Sequence, residues 1–163
     1  MLLKKIAKIL NIIFSLSFGL FLLDLLPNFD IKNQLIKSFV YIFSTYGSVL
    51  IILINLQQKL NKLTLIFPTI GVLGIFFIGP FKILNAKSAW KTQTIIYQNG
   101  HLANKTIEFQ LQDIGSRGYN KREVETFYLT KHFMIIAEVP KDIENRVEWV
   151  KVNEEINELN LKY

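Results

Sequence analysis

The chain reads as a membrane α-helical region of three transmembrane helices, the last two forming a hairpin. A small antiparallel β-rich α+β domain with a short C-terminal helix follows. Three observations lead to this class. Long apolar runs are concentrated in the first 84 of the 163 residues. Short segments of the second half alternate polar and apolar residues with a period of two, the pattern of half-buried strands. The formal net charge of +6 also belongs wholly to the first half. Residues 1–84 carry eight lysines against Asp24 and Asp30, whereas residues 85–163 carry eleven basic and eleven acidic side chains. The boundary between a transmembrane region, 1–84, and an extramembrane domain, 85–163, is placed there.

The first span, residues 9–26, reads ILNIIFSLSFGLFLLDLL; the second, 39–56, reads FVYIFSTYGSVLIILINL; the third, 63–81, reads LTLIFPTIGVLGIFFIGPF. A helix rises about 1.5 Å per residue, so about 20 apolar residues cross a hydrocarbon core of about 30 Å. Lys4, Lys5 and Lys8 ahead of the first run resemble a signal peptide, but no small-residue cleavage site follows, so a retained signal-anchor helix is expected. The link Gln57–Lys62 is short enough for an antiparallel hairpin of the second and third spans. Ser15 with Gly19, and Ser44 with Ser48, are small residues at spacing four that let helices approach. Pro68 is expected to kink the third span and Gly79-Pro80 to end or bend it. Asp24 is the acidic residue within an apolar run, a functional candidate by type. It lies three residues before Pro27, so a hydrated carboxylate near the interface is the simpler expectation. No polar line suited to carrying ions or protons is expected in the spans.

The second half divides into 91–98 (KTQTIIYQ), 106–113 (TIEFQLQD), 122–130 (REVETFYLT), 133–139 (FMIIAEV) and 146–152 (RVEWVKV) as strands. Asn99-Gly100 and Lys131-His132 mark turns. In 106–113 the alternation places Ile107, Phe109 and Leu111 on the buried face and Glu108, Gln110 and Gln112 on the solvated one. Asn153 followed by Glu154 and Glu155 predicts a helix N-cap and a short terminal helix packing Ile156 and Leu159. A domain of this size is near the lower limit for independent stability, so it is expected to lean on the helices or on a second copy.

Candidate chemistry is sparse. With no cysteine there is no disulfide, thiolate metal site or cysteine nucleophile. His101 and His132 sit in separate predicted turns without metal-ligand spacing, and no serine-hydrolase motif is present, so no catalytic residue, metal or cofactor is assigned. The loop IGSRGYNKR (114–122) concentrates Arg117, Lys121 and Arg122 between two glycines and could hold an anionic ligand or headgroup by forked hydrogen bonds. The lysines crowd the apolar runs, where they snorkel to headgroups, so the basic pI of 9.5 does not point to nucleic acid.

The expected function is therefore a non-enzymatic, multi-pass membrane protein that presents a β-rich binding module. Its partners would be the bilayer, a protein or second copy, and an anionic ligand. The alternative is a component of a transporter or membrane enzyme that uses Asp24 and the Pro/Gly-broken third helix. The lysine-, isoleucine- and asparagine-rich composition suggests a bacterial cytoplasmic membrane. Flanking lysines tie between the two sides, and the three that precede the first span favour a cytoplasmic N-terminus with the β-rich domain outside.

Overall fold

Residues 26–34 belong to the β-rich part of the chain, although they lie between its two long helices. The computed structural model describes residues 2–58, 62–78 and 88–161. It contains two compact units: a helical one, and a sheet unit of 26–34 together with the chain after the helices.

In the helical unit, α1 (Leu2–Asp24) and α2 (Gln34–Gln57) are each long and apolar enough to cross a membrane. They run antiparallel, because three polar pairs fix their register. Asp24 meets Lys37 at 3.1 Å, Ser17 meets Ser44 at 3.1 Å, and Asn11 and Asn55 exchange side-chain bonds of 2.6 and 2.9 Å. Between these pairs the helices pack aromatically: Phe14 lies edge-on to Phe43 at 5.8 Å and Phe21 edge-on to Tyr41 at 5.1 Å. The buried residues of α2 include Lys37, Tyr41, Ser44, Ser48, Ile51 and Asn55. Their spacing of three and four is one helical face, and it is a polar line that hydropathy did not reveal. The polar ones among them bond to α1 or back to carbonyls of α2 one turn earlier.

The third predicted span is corrected. Among the described residues, a 3-10 turn at Lys62–Leu65 precedes α3, which covers Ile66–Ile78, 13 residues and about 20 Å. As a regular α-helix it is too short to be supported as a transmembrane helix. Pro68 does not kink it. The proline falls in the first turn of α3, where its missing N–H has no intrahelical acceptor to serve. Gly79 and Pro80 lie outside the described residues. The antiparallel approach of α3 to α2 is present: Asn55 Nδ2 donates to the Thr64 carbonyl at 3.3 Å, and a Cβ on Gly71 would strike the Ser48 hydroxyl and the Ser44 carbonyl. Ser44 and Ser48 thus serve close packing as expected. Ser15 is exposed and Gly19 faces open space.

The sheet unit is one antiparallel sheet of six strands in the order β1-β5-β4-β3-β2-β6. The strands are β1 (Phe29–Ile31), β2 (Lys91–Asn99), β3 (Lys105–Asp113), β4 (Tyr119–Thr130), β5 (Phe133–Ala137) and β6 (Trp149–Glu155). From β2 to β5 they form a meander. The chain then returns across the sheet to β6, and Val139 and Ile143 pack on Tyr97, Ile107 and Trp149 as it goes. The two predicted turns are present; Asn99 Oδ1 accepts from the backbone of His101 and Leu102, each at 3.0 Å. The loop after β3 is shorter than predicted, since β4 already begins at Tyr119.

Two further expectations are overturned. No terminal helix forms among the described residues. Asn153 takes a left-handed φ of 48° inside β6, and the next segment bonds to the sheet instead. Ile156 and Asn157 donate to the Gln93 carbonyl and Glu158 to that of Thr92. These long-range bonds replace the local ones a capped helix would have made. The second correction concerns β3. Glu108, Gln110 and Gln112, expected in solvent, are 1%, 0% and 4% exposed, more deeply buried than Phe109.

Candidate functional site

Alternation along β3 places Thr106, Glu108, Gln110 and Gln112 on one face, and the register completes the row with β4. Thr106 lies opposite Thr126, Gln110 opposite Arg122, and Gln112 opposite Asn120. Each of these pairs is hydrogen bonded. A β-bulge in β2 between Thr92 and Thr94 turns Thr92 onto the same face.

Glu108 is the centre of the row. Its carboxylate accepts from Thr92 Oγ1 at 2.6 Å, Thr106 Oγ1 at 2.7 Å, Gln110 Nε2 at 2.8 Å and the Tyr128 hydroxyl at 2.9 Å. A carboxylate has about four acceptor sites, and here all are used. Because the Thr106 proton is committed to Glu108, Thr126 must donate in the 2.7 Å contact between the two threonines.

Lys32, just after β1, answers this charge. Its ammonium donates to Thr92 Oγ1 at 2.7 Å and to the Tyr128 hydroxyl at 2.6 Å, and it pairs with Glu158 at 3.1 Å. The three donors of the ammonium are matched by three acceptors. Two hydroxyls therefore bridge Lys32 to Glu108, each accepting from the first and donating to the second. On the flank, Arg122 pairs with Asp30 of β1 at 2.8 Å, forks onto Gln110 Oε1 at 2.9 and 2.7 Å, and stacks on Trp90 at 4.0 Å. The cluster thus fastens the interhelical segment (Asp30, Lys32) and the C-terminal segment (Glu158) to the middle of the sheet.

Burial opposes the charged form of Glu108, but the bonds from Thr92 and Gln110, the Lys32 charge and the Thr106 bond outweigh it. The carboxyl is held below its ordinary range. Burial likewise opposes the charged form of Lys32; the Tyr128 side chain, with the Glu108 and Glu158 carboxylates, overcomes it and raises the amine. Burial and the Glu108 charge push the Tyr128 phenol up, while burial lowers Arg122 against the pull of Asp30.

These shifts set a pH window. A depressed carboxyl stabilises the fold above its unfolded value, near 4.5, and that contribution is lost as pH falls through the folded value. A raised amine stabilises below its unfolded value, near 10.5, and loses the contribution as pH rises through the folded one. Sheet stability, followed by denaturant titration, is therefore expected to be flat between about pH 5 and 9 and to fall on both sides. A midpoint that stayed level down to pH 3 would remove Glu108 from its role.

The anion-binding trio does not converge. Arg122 is committed to Asp30 and Gln110. Arg117 lies in an exposed 3-10 turn between Gly115 and Gly118, whose φ values of 70° and 90° suit glycine. Lys121 is an exposed residue of β4 next in sequence to Arg122, so the alternation of the strand sends the two to opposite faces. Asp24 is not a hydrated carboxylate: it is 9% exposed, accepts from the Tyr41 hydroxyl at 2.7 Å and pairs with Lys37. Among the described residues no group of histidines and acids could hold a metal ion. Sequence reading missed Lys32 and Glu158 entirely. The available signal was the row Thr-Glu-Gln-Gln on β3, too polar and too regular for a strand lying on solvent alone. No family profile matches the chain, and no curated protein or solved structure resembles it significantly.

Proposed function

We propose that the chain is an integral membrane protein whose sheet unit is a non-enzymatic binding module carried by the helices. Support for the bilayer comes from an inside-out arrangement. Only 28% and 39% of the most apolar stretches of α1 and α2 is buried. Leu16, Leu53 and Phe77 are outside, while Ser17, Lys37, Ser44, Ser48 and Asn55 are buried beside the aromatic contacts between the helices. Apolar side chains face outward in this way where lipid is the solvent, and polar ones then hold helices together.

The observation that carries the topology is the pairing of β1 with β5, Phe29 to Ile135 and Ile31 to Phe133. It supports a reading in which the α1–α2 connection and the C-terminal sheet share one compartment. If α1 and α2 both cross, the chain must cross a third time between Gln57 and Lys91. The 3-10 turn and α3 together rise about 28 Å, close to the hydrocarbon thickness. The lysine-rich start of α1 favours a cytoplasmic N-terminus and a sheet unit on the far side of a bacterial cytoplasmic membrane.

The network around Glu108 closes on itself, and this supports a fastening role for it over a catalytic one. Outward-facing groups left for a ligand or partner are Arg117 and Lys121, with Leu129 and Ile135 as an apolar neighbourhood for a protein or second copy.

The chain has no native cysteine, so single-cysteine variants are clean reporters. In right-side-out vesicles an impermeant maleimide is expected to label Asn28→Cys and Lys131→Cys and to spare Lys5→Cys until lysis. Labelling of Lys5→Cys together with Lys131→Cys from one side would mean an even number of crossings and defeat the topology. Release of the protein by alkaline carbonate would defeat membrane integration itself.

A further inference from the structure

We infer that the end of the helical unit opposite Asp24 is a docking surface for anionic phospholipid headgroups. The inference rests on the bilayer reading above and adds the class of lipid. The bonds from Asn11 to Asn55 and from Asn55 to Thr64 bring the first turns of α1, the last turn of α2 and the 3-10 turn before α3 to one end. Lys4, Lys5, Lys8 and Lys62 are exposed there. Lys4 and Lys8, four apart, share a helix face.

No acid balances this rim within its own unit. Across residues 1–25 and 35–86 the single carboxylate is Asp24, and it lies at the other end, 3.1 Å from Lys37. The contrast between the two ends is sharp: Lys37 is bonded into an ion pair with Asp24, whereas the rim lysines share their end with no carboxylate of their own unit. Their immediate surroundings are apolar, since Leu3, Ile6, Ile9, Ile12 and Leu63 are exposed on the same turns. A surface that offers ammonium groups on aliphatic stems beside exposed isoleucine and leucine matches a phosphate headgroup above acyl chains. A soluble polyanion would satisfy the charge and leave the apolar flank in water.

The test uses the full chain in neutral detergent, titrated with fluorescent phosphatidylglycerol and, separately, phosphatidylcholine. Wild type is expected to bind phosphatidylglycerol about tenfold more tightly at low salt, each surface lysine contributing up to about fivefold. The difference should shrink in high salt as charges are screened. A triple variant, Lys4→Gln, Lys8→Gln and Lys62→Gln, should lose most of that preference and keep its phosphatidylcholine affinity. A charge-matched control on the sheet unit, Lys131→Gln, Lys141→Gln and Lys151→Gln, should behave as wild type. Equal affinity of wild type for the two lipids, or equal loss in both triples, overturns the inference. Flotation with phosphatidylcholine vesicles separates the two levels. A protein that floats but shows no headgroup preference defeats the lipid class alone, and one that fails to float defeats the bilayer reading and this inference with it.

Discussion

Replacing Glu108 with alanine is expected to destabilise the sheet unit by about 3–5 kcal/mol, the range for removing one member of a buried ionic network. At 1% exposure the carboxylate has no water to replace it. Its loss strands the Thr92, Thr106, Gln110 and Tyr128 donors and leaves Lys32 with Glu158 as its one carboxylate partner among the described contacts. Glu108→Gln keeps the volume but turns an NH2 toward groups that also donate, so it should cost about 2 kcal/mol or more. Both tryptophans, Trp90 and Trp149, lie in the sheet unit, so their fluorescence during denaturant unfolding reports this unit and not the helices. A shift below about 1 kcal/mol for the alanine variant would show that the network tightens local geometry without holding the sheet together.

Asp24→Ala should loosen the α1–α2 pair by about 3 kcal/mol, because it removes the carboxylate that both Lys37 and Tyr41 contact in a buried setting. The informative companion is the double change Asp24→Leu with Lys37→Met. Removing both charges together is often neutral or stabilising, so thermal stability in detergent should return to about the wild-type value. This cycle also separates a fastening role from the transport reading. A fastener survives loss of both charges once packing is restored. A proton or ion site does not, and a double variant that is stable yet non-functional in the cell would favour transport.

The helices were legible in the sequence because hydropathy is additive along the chain; α1 and α2 lie where the first two runs are. The third run was equally apolar, yet among the described residues its regular α-helix begins only at Ile66. Pro68 prevents α-helical bonding across the residues before it, a constraint that mean hydropathy ignores. Strands β2 to β5 followed from alternation and from the turn residues at 99–100 and 131–132. The terminal helix failed on Asn153, which suits an N-cap and a left-handed bulge about equally well; partners on β2 decided between them.

The candidate site was the least legible. On β3 the period of two was correct, and so was the assignment of residues to faces, but the solvated face was assigned by polarity. Polarity alone cannot tell a strand lying on water from one whose carboxylate and amides are met by hydroxyls and an ammonium from elsewhere. The partners that bury the polar face as well, Lys32 and Glu158, stand 76 and 50 residues from Glu108 along the chain. That separation also explains why a fragment beginning near residue 88 would lack β1, Asp30 and Lys32, and with them half of the fastening. Within the sheet unit, one strand is thus supplied by the link between the two long helices.

By itself the sequence determined where apolar length and alternation occur, and hence two long helices and a β-rich remainder, since both depend on neighbours within a few residues. Which strand pairs with which, which polar face is buried and which lysines are paired depended on contacts between distant segments. Only the tertiary structure decided those: a charge finds its counter-charge through space, and the chain order between them carries no trace of the meeting.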